Sequence, residues 1–136
     1  MTGQLDEDHS NRTKPLNGLR LLVVEDQFFV AMEVTDLISS LGAEVIGPYG
    51  LLNQALDAVQ RQAVDGGVLD VKLDSEKSYP VADVLMDSGR PVLLVTGGDT
   101  EGMPEKYRVL PCLLKPFDPI RFQKMAGEVF RRRNAM

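Results

Sequence analysis

Five short apolar runs divide this chain, and they constrain its fold more than any other feature. Each run is four to six residues long and rich in Val, Leu, Ile or Gly, and each gives way abruptly to a polar residue or a turn. Runs of this kind, without strict alternation of polar and apolar residues, are typical of strands that are covered on both faces. The runs occupy residues 19–24, 43–46, 66–70, 91–96 and 109–114.

Helical spacing of apolar residues separates most of these runs. Val30, Val34, Ile38 and Leu41 predict a first helix, and Leu52, Leu56 and Val59 a second. Residues 81–86 predict a third, with Pro80 in its first turn, and Asp118 caps a last helix that begins at Pro119. Between the fourth and fifth strands, residues 97–107 contain three glycines and Pro104, so any helix there is short and weak.

This alternation of strands and helices predicts an α/β fold. Fully apolar strands require helices on both faces of a parallel sheet, and the connections should be right-handed crossovers. We expect a doubly wound (βα)5 sheet of the flavodoxin-like kind, with strand order 2-1-3-4-5. The 136 residues of the chain suffice for one domain and are too few for two ordinary ones. We therefore predict a disordered leader at residues 1–17 and one domain at residues 18–136, with no output domain.

The composition excludes several classes of protein. A formal net charge of -5 argues against a nucleic-acid partner held through phosphate contacts. Cys112 is the single cysteine, so no internal disulfide can form, and its apolar neighbours predict that it is a small buried hydrophobe. Since no run approaches the length of a membrane span and no signal peptide is present, we expect a cytoplasmic protein without a membrane partner.

Polar and charged side chains close four of the five predicted strands. Glu25 and Asp26 follow the first strand, Asp70 ends the third, Thr96 ends the fourth, and Lys115 follows the fifth. In the flavodoxin-like order these four strands are contiguous, and ligands bind at their carboxyl ends. We therefore expect the five side chains to converge on one site.

The chemistry of that set points to phosphoryl transfer. Three neighbouring carboxylates raise one another's pKa unless a cation lies among them, and hard oxygen ligands suit Mg²⁺. A hydroxyl and a lysine ammonium can bind the remaining oxygens of a phosphoryl group. In-line transfer to a carboxylate needs a nucleophile, a metal ion and a fixed cation, and this set offers all three.

Each of these residues also has an ordinary structural explanation. Glu25 and Asp26 are acceptable first-turn acids of a helix, and Asp70 and Thr96 are acceptable at strand ends and loop entries. Lys115 before a proline can be a plain turn. What favours a functional site is the order, in which an acid pair, an Asp, a Thr and a Lys-Pro each close a successive apolar strand.

After residue 17 the chain resembles the receiver domain of two-component response regulators over essentially its full length. The resemblance rests on Leu-Val-Val-Glu-Asp at 22–26, Val-Leu-Asp-Val-Lys-Leu at 68–73, Val-Thr-Gly at 95–97 and Leu-Lys-Pro-Phe at 114–117. It implies that the protein is not an enzyme but a phosphoacceptor that signals through phosphorylation-dependent protein binding or through a phosphorelay. Its implied partners are a histidine kinase and a histidine phosphotransfer protein, and its implied oligomeric state is a monomer or weak dimer.

The resemblance also implies a role for each site residue. Asp70 would accept the phosphoryl group from a phosphohistidine. Mg²⁺, or Mn²⁺, would be bound by Glu25, Asp26, Asp70 and the backbone carbonyl of Lys72. Thr96, Gly97 and Lys115 would bind the phosphoryl group and form the switch.

Two departures from the family pattern bear on that switch. Receivers usually carry an aromatic residue three positions before the lysine, whereas this chain has Cys112 there. The segment between Thr96 and Lys115 is also shorter than usual, which resembles the stand-alone FATGUY-type receivers of alphaproteobacteria, although the phenylalanines of that motif are missing. We therefore expect activation to order residues 97–107, which should be mobile at rest.

Three alternatives remain at this point. A Mg²⁺-dependent phosphatase with an aspartate nucleophile would need a second acid two residues later, where this chain has Lys72. A flavin-binding protein fits the fold, but Glu25 and Asp26 would repel the flavin phosphate. The third alternative is a degenerate receiver, an interaction module that no longer needs phosphate.

Overall fold

All five predicted strands form and join one parallel sheet. The structure, a computed structural model, describes residues 14–98 and 102–134. In chain order the elements are β1 (Arg20–Val24), α1 (Phe28–Ser40), β2 (Glu44–Tyr49), α2 (Leu52–Arg61), β3 (Gly66–Asp70), β4 (Lys72–Leu73), β5 (Glu76–Lys77), α3 (Tyr79–Asp87), β6 (Val92–Thr96), a 3₁₀ turn (Glu105–Tyr107), β7 (Cys112–Leu114) and α4 (Pro119–Asn134).

The sheet has the order β2-β1-β3-β6-β7, which confirms the flavodoxin-like topology. Every neighbouring pair in it is parallel. Val24 lies beside Leu69, Asp70 beside Val95, and Thr96 beside Leu114. This register aligns the carboxyl ends of β1, β3, β6 and β7 along one edge of the sheet.

Two hydrophobic layers cover the faces of the sheet. One layer joins alternate strand residues such as Val23 and Leu93 to α1 and α4, where Phe122, Ala126 and Phe130 are fully buried. The other joins the intervening strand residues to α2 and α3. No helix within the described residues is long and apolar enough to cross a membrane.

The N-terminal boundary predicted at residue 17 lies too late. Leu16 is fully buried in the layer formed by α1 and α4, and its N–H donates to the carbonyl oxygen of Leu41 at 2.9 Å. Gly42 makes this close approach possible, because a Cβ there would lie 2.9 Å from the Cβ of Lys14. The folded domain thus includes residues 14–17, and the remainder of the predicted leader, residues 1–13, lies outside the described residues.

The bounds of two predicted strands need correction. Strand β2 continues past Ile46 to Tyr49, whose carbonyl oxygen accepts a hydrogen bond from the N–H of Glu25 at 2.9 Å. Strand β7 is shorter than the run 109–114, because Leu110 is already bonded back to Tyr107 in a turn. Pro111, which has no N–H, precedes β7 and contributes only its carbonyl oxygen, to the N–H of Leu94.

The segments on either side of the third helix also differ from expectation. The predicted loop after Asp70 contains the hairpin β4–β5, with Asp74 at a positive φ of 55°. Between β6 and β7 the described residues form the 3₁₀ turn, in line with the absence of a long helix there. Met103 and Tyr107 are buried, so the second half of the segment 97–107 packs against the domain, while its mobility at rest stays a prediction.

Candidate functional site

The five predicted site residues converge at the carboxyl edge of the sheet. Asp70 and Thr96 are the last residues of β3 and β6, while Glu25 and Lys115 directly follow β1 and β7. Asp26 comes next after Glu25, before α1 begins. A cleft of ≈ 670 Å³ opens at this edge, and Asp26, Asp70, Thr96 and Lys115 all line it.

Three of these residues form a carboxylate cluster. Glu25, Asp26 and Asp70 each offer an oxygen, and the three oxygens lie within 4.8 Å of one another. Glu25 and Asp70 are buried, whereas Asp26 is exposed to solvent. Because all three donors are carboxylate oxygens, the cluster suits a hard divalent cation such as Mg²⁺.

Lys115 is the positive charge that faces this cluster. Its ammonium nitrogen lies 2.9 Å from Oε1 of Glu25 and 3.2 Å from Oδ2 of Asp70, and it also donates to Oε1 of Gln27 at 3.2 Å. Burial disfavours the charged lysine, but the hydrogen bond to Glu25 and the negative charges of Glu25 and Asp70 outweigh that effect and raise its pKa.

Burial makes the ionised acids costly in spite of that lysine. It is the main reason that the pKa of Glu25 rises to about 7, although hydrogen bonds from Lys115 and from the backbone of Gln27 oppose the rise. Burial also raises the pKa of Asp70, and the charge of Asp26 adds to the rise while Lys115 opposes it. A cation bound among the carboxylates would relieve this penalty, so the residues present fit a divalent metal ion.

Backbone groups orient two of the acids. The N–H of Gln27 donates to Oε2 of Glu25 at 3.1 Å, and the N–H of Asp74 donates to Oδ2 of Asp26 at 2.9 Å. The sequence pattern did not predict either contact. The position of Gln27 next to the acid pair is a signal from which its contact could have been predicted. The contact of Asp74 with Asp26 depends on the β4–β5 hairpin, which the sequence did not predict.

The far side of the cleft is formed by Thr96 and the glycines after it. Thr96 is buried, and the N–H of Gly98 lies 3.5 Å from its hydroxyl oxygen. Gly97 and Gly98 line the cleft, and a Cβ on either would meet nothing within 4 Å. Lys72, at the start of β4, also lines the cleft, while its side chain is exposed.

Cys112 occupies the first position of β7 and is partly buried. It packs against the layer that contains Tyr107 and Tyr79, and burial raises the pKa of its thiol. The expectation of a small buried cysteine is confirmed only in part, because Cys112 packs against apolar side chains but is not fully buried. Two tyrosine rings in the same layer were not singled out by the sequence pattern.

Known structures resemble this fold closely. The solution structure of SdrG from Sphingomonas melonis Fr1 is 32% identical with a TM-score of 0.71, and the match covers 83% of this chain and 96% of that one. SdrG has also been solved in a BeF3-activated conformation, from Pseudomonas melonis Fr1, with 31% identity over 80% of this chain and 94% of that one and a TM-score of 0.65. The crystal structure of the response regulator PhyR from Brucella abortus gives a TM-score of 0.75 at 24% identity, covering 98% of this chain and 56% of that one.

Sequence comparison alone is less informative. No protein-family model matches the chain. The transcriptional regulatory protein PdtaR of Mycobacterium tuberculosis is 23% identical over 124 residues, which is 86% of this chain and 60% of PdtaR. The chain thus spans less than two thirds of both PdtaR and PhyR. SdrG and PhyR come from alphaproteobacteria, in agreement with the resemblance noted above. Since the chain is 32% identical to SdrG over nearly all of that protein, it belongs to the receiver domains of two-component response regulators.

Proposed function

We propose that this receiver accepts a phosphoryl group on Asp70 from the phosphohistidine of a histidine kinase or a histidine phosphotransfer protein. The observation that carries the proposal is the position of Asp70. Its carboxylate ends β3 at the cleft, among the acids Glu25 and Asp26 and 3.2 Å from the ammonium of Lys115. As a receiver domain the chain is a signalling protein and not an enzyme.

In this transfer a carboxylate oxygen of Asp70 attacks phosphorus. The P–O bond forms as the P–N bond breaks, and the electron pair of that bond returns to the ring nitrogen. The imidazole, already protonated on its other nitrogen, leaves as neutral histidine. Mg²⁺, or Mn²⁺, bound by Glu25, Asp26, Asp70 and the backbone carbonyl of Lys72 would neutralise negative charge on the acids and on the phosphoryl oxygens.

The remaining residues of the cleft bind the transferred group. Lys115 donates to one phosphoryl oxygen, and the hydroxyl of Thr96 and the N–H of Gly97 donate to others. Phosphorylation adds about 1.5 to 2 negative charges at neutral pH. These hydrogen bonds form only when Asp70 is phosphorylated, so they would stabilise an active conformation relative to the resting one.

We place the protein in the cytoplasm as a monomer or weak dimer, and we propose that the phosphorylated form binds a downstream protein or passes the group onward. The charge of -5 supports a protein partner in preference to nucleic acid. The single cysteine suits a reducing compartment.

Incubation with acetyl phosphate and Mg²⁺ tests the proposal directly. We expect a mass gain of one phosphoryl group per chain and retarded mobility in a phosphate-binding gel. Hydroxylamine should remove the group, because an acyl phosphate is labile to it. If neither acetyl phosphate nor any histidine kinase phosphorylates the chain, the proposal fails and the degenerate receiver takes its place.

A further inference from the structure

Tyr107 connects the segment after β6 to helix α3 through three contacts. Its ring stacks on that of Tyr79, with centroids 4.2 Å apart and planes inclined by 4°. Its hydroxyl donates to Oδ1 of Asp83 at 2.8 Å, and the neighbouring Lys106 lies 2.8 Å from the same oxygen. Tyr107 is 7% exposed, so this is a packed contact and not a surface encounter.

The same tyrosine belongs to the turn that forms one wall of the cleft. Met103 and Pro104 line the cleft, and the N–H of Tyr107 donates to the carbonyl oxygen of Pro104 at 3.0 Å. The next residue, Arg108, donates from Nε to the carbonyl oxygen of Met103 at 2.9 Å. The wall and the ring are therefore parts of one hydrogen-bonded turn.

The stacked pair also contacts the cleft through its other member. Tyr79, on which Tyr107 stacks, also lines the cleft. If the Met103–Pro104 wall changes shape, Tyr107 must move with it, because the two belong to one turn. Tyr79 must then move as well or lose its stack on Tyr107. Interactions of this kind carry coupling between sites, provided that the two arrangements of the wall differ in contact with the ligand.

Cys112 makes this arrangement relevant to the switch. Strand β7 carries the small side chain of Cys112 where receivers usually carry an aromatic residue, and Cys112, Tyr79 and Tyr107 all pack in the same hydrophobic layer. The stacked aromatic pair of this layer therefore comes from α3 and the 3₁₀ turn, and not from β7.

We propose that Tyr107 is a positioning residue of the phosphoryl site, which fixes the Met103–Pro104 wall against α3 and couples occupancy of Asp70 to the packing of Tyr79 and Tyr107. The inference rests on the proposed function, because it requires a phosphoryl group in the cleft. The proposed role of Tyr107 requires no contact with the carboxylates of Glu25, Asp26 and Asp70. Binding of Mg²⁺ alone should therefore be independent of Tyr107, whereas binding of a phosphoryl mimic should depend on it.

The test compares two affinities in one set of variants. Mg²⁺ and the phosphoryl mimic beryllofluoride are titrated into the unaltered protein and into Tyr107→Leu, which removes the stack and keeps an apolar side chain. Tyr49→Phe is the matched control, because it removes a tyrosine hydroxyl that accepts a hydrogen bond from Gln62, in a residue of β2 at the opposite edge of the sheet from β7. We expect beryllofluoride affinity to fall about fivefold or more in Tyr107→Leu, at the lower end of typical coupling between sites. Mg²⁺ affinity should stay unchanged in both variants.

Tyrosine emission provides a second, direct measurement. The chain has three tyrosines and no tryptophan, so in Tyr49→Phe only Tyr79 and Tyr107 emit. A phenol bonded to a carboxylate is quenched, and stacking alters its emission further. Addition of beryllofluoride to this variant should change the emission intensity, and the further substitution Asp70→Asn should abolish the change.

The outcomes separate the inference from the function on which it rests. If the unaltered protein binds no beryllofluoride, the proposed function fails and the inference fails with it. If it binds beryllofluoride, but Tyr107→Leu binds it equally well, the inference alone is overturned. If Tyr107→Leu loses Mg²⁺ affinity as well, Tyr107→Phe decides, because it keeps the ring and removes only the bond to Asp83. A selective loss of beryllofluoride affinity in that variant supports the inference, and equal affinity for it overturns the inference.

Discussion

The ammonium nitrogen of Lys115 lies 2.9 Å from Oε1 of Glu25, although the two residues are 90 positions apart in the chain. The lysine is thus paired with one of the acids that the proposed metal ion requires. A cation bound among the carboxylates would compete with Lys115 for the oxygens of Glu25. Metal binding should therefore loosen this pair and make the ammonium available to a phosphoryl group on Asp70.

Replacement of Asp70 by Asn should abolish phosphorylation. The amide oxygen is a poor nucleophile, so label transferred from a phosphorylated histidine kinase should disappear from Asp70→Asn. Asp74→Asn is the matched control, because Asp74 has a φ of 55° and Asn accepts that left-handed conformation. Label that survives in Asp70→Asn, or disappears from Asp74→Asn, would contradict the assignment of the phosphoacceptor.

Magnesium should stabilise the fold through the carboxylate cluster. Binding to the native state alone adds about 2.7 kcal/mol at a free concentration of about 100 times Kd, which raises Tm by several degrees. Asp26→Asn should respond much less, because it removes one charge from the cluster while its amide oxygen can still accept the N–H of Asp74. Thermal melts with and without Mg²⁺ measure this, and an equal rise in both proteins would place the cation elsewhere.

Leu16 should contribute to stability as a core residue. Its side chain is fully buried, so Leu16→Ala should lower the free energy of unfolding by about 2–5 kcal/mol. The neighbouring exposed residue provides the control, and Asn17→Ala should change stability by no more than about 0.5 kcal/mol. Urea denaturation followed by circular dichroism compares the two, and similar values would show that residues 14–17 lie outside the cooperative unit.

Asp118 should stabilise the start of α4. Its Oδ1 accepts the N–H of Ile120 at 3.0 Å, which satisfies a donor that the helix leaves unpaired. Asp118→Ala should therefore cost about 1 kcal/mol, whereas Asp118→Asn, which retains an accepting oxygen, should lie within a few tenths of a kcal/mol of the unaltered protein. The same denaturation experiment checks both variants, and equal losses would mean that charge rather than capping matters at this position.

Much of the fold could be predicted because its signals are local. Apolar runs such as 66–70 and 92–96 form strands wherever they can be covered on both faces, and Pro119 after Asp118 begins a helix by its backbone geometry alone. The strand order was expected from the flavodoxin-like arrangement of doubly wound parallel sheets. The convergence of Asp70, Thr96 and Lys115 followed in turn, because parallel strands place their carboxyl ends at one edge.

Other features depended on contacts between distant segments, which no local pattern contains. The burial of Leu16 requires the end of α1, and the bond from Asp74 to Asp26 requires the β4–β5 hairpin. The stack of Tyr107 on Tyr79 requires α3 beside the 3₁₀ turn. The sequence by itself determined which side chains reach the carboxyl edge of the sheet, since strand ends depend on short-range preferences. Tertiary structure alone decided how those side chains pair and which ring packs behind the cleft, because burial and close packing are properties of the assembled layers.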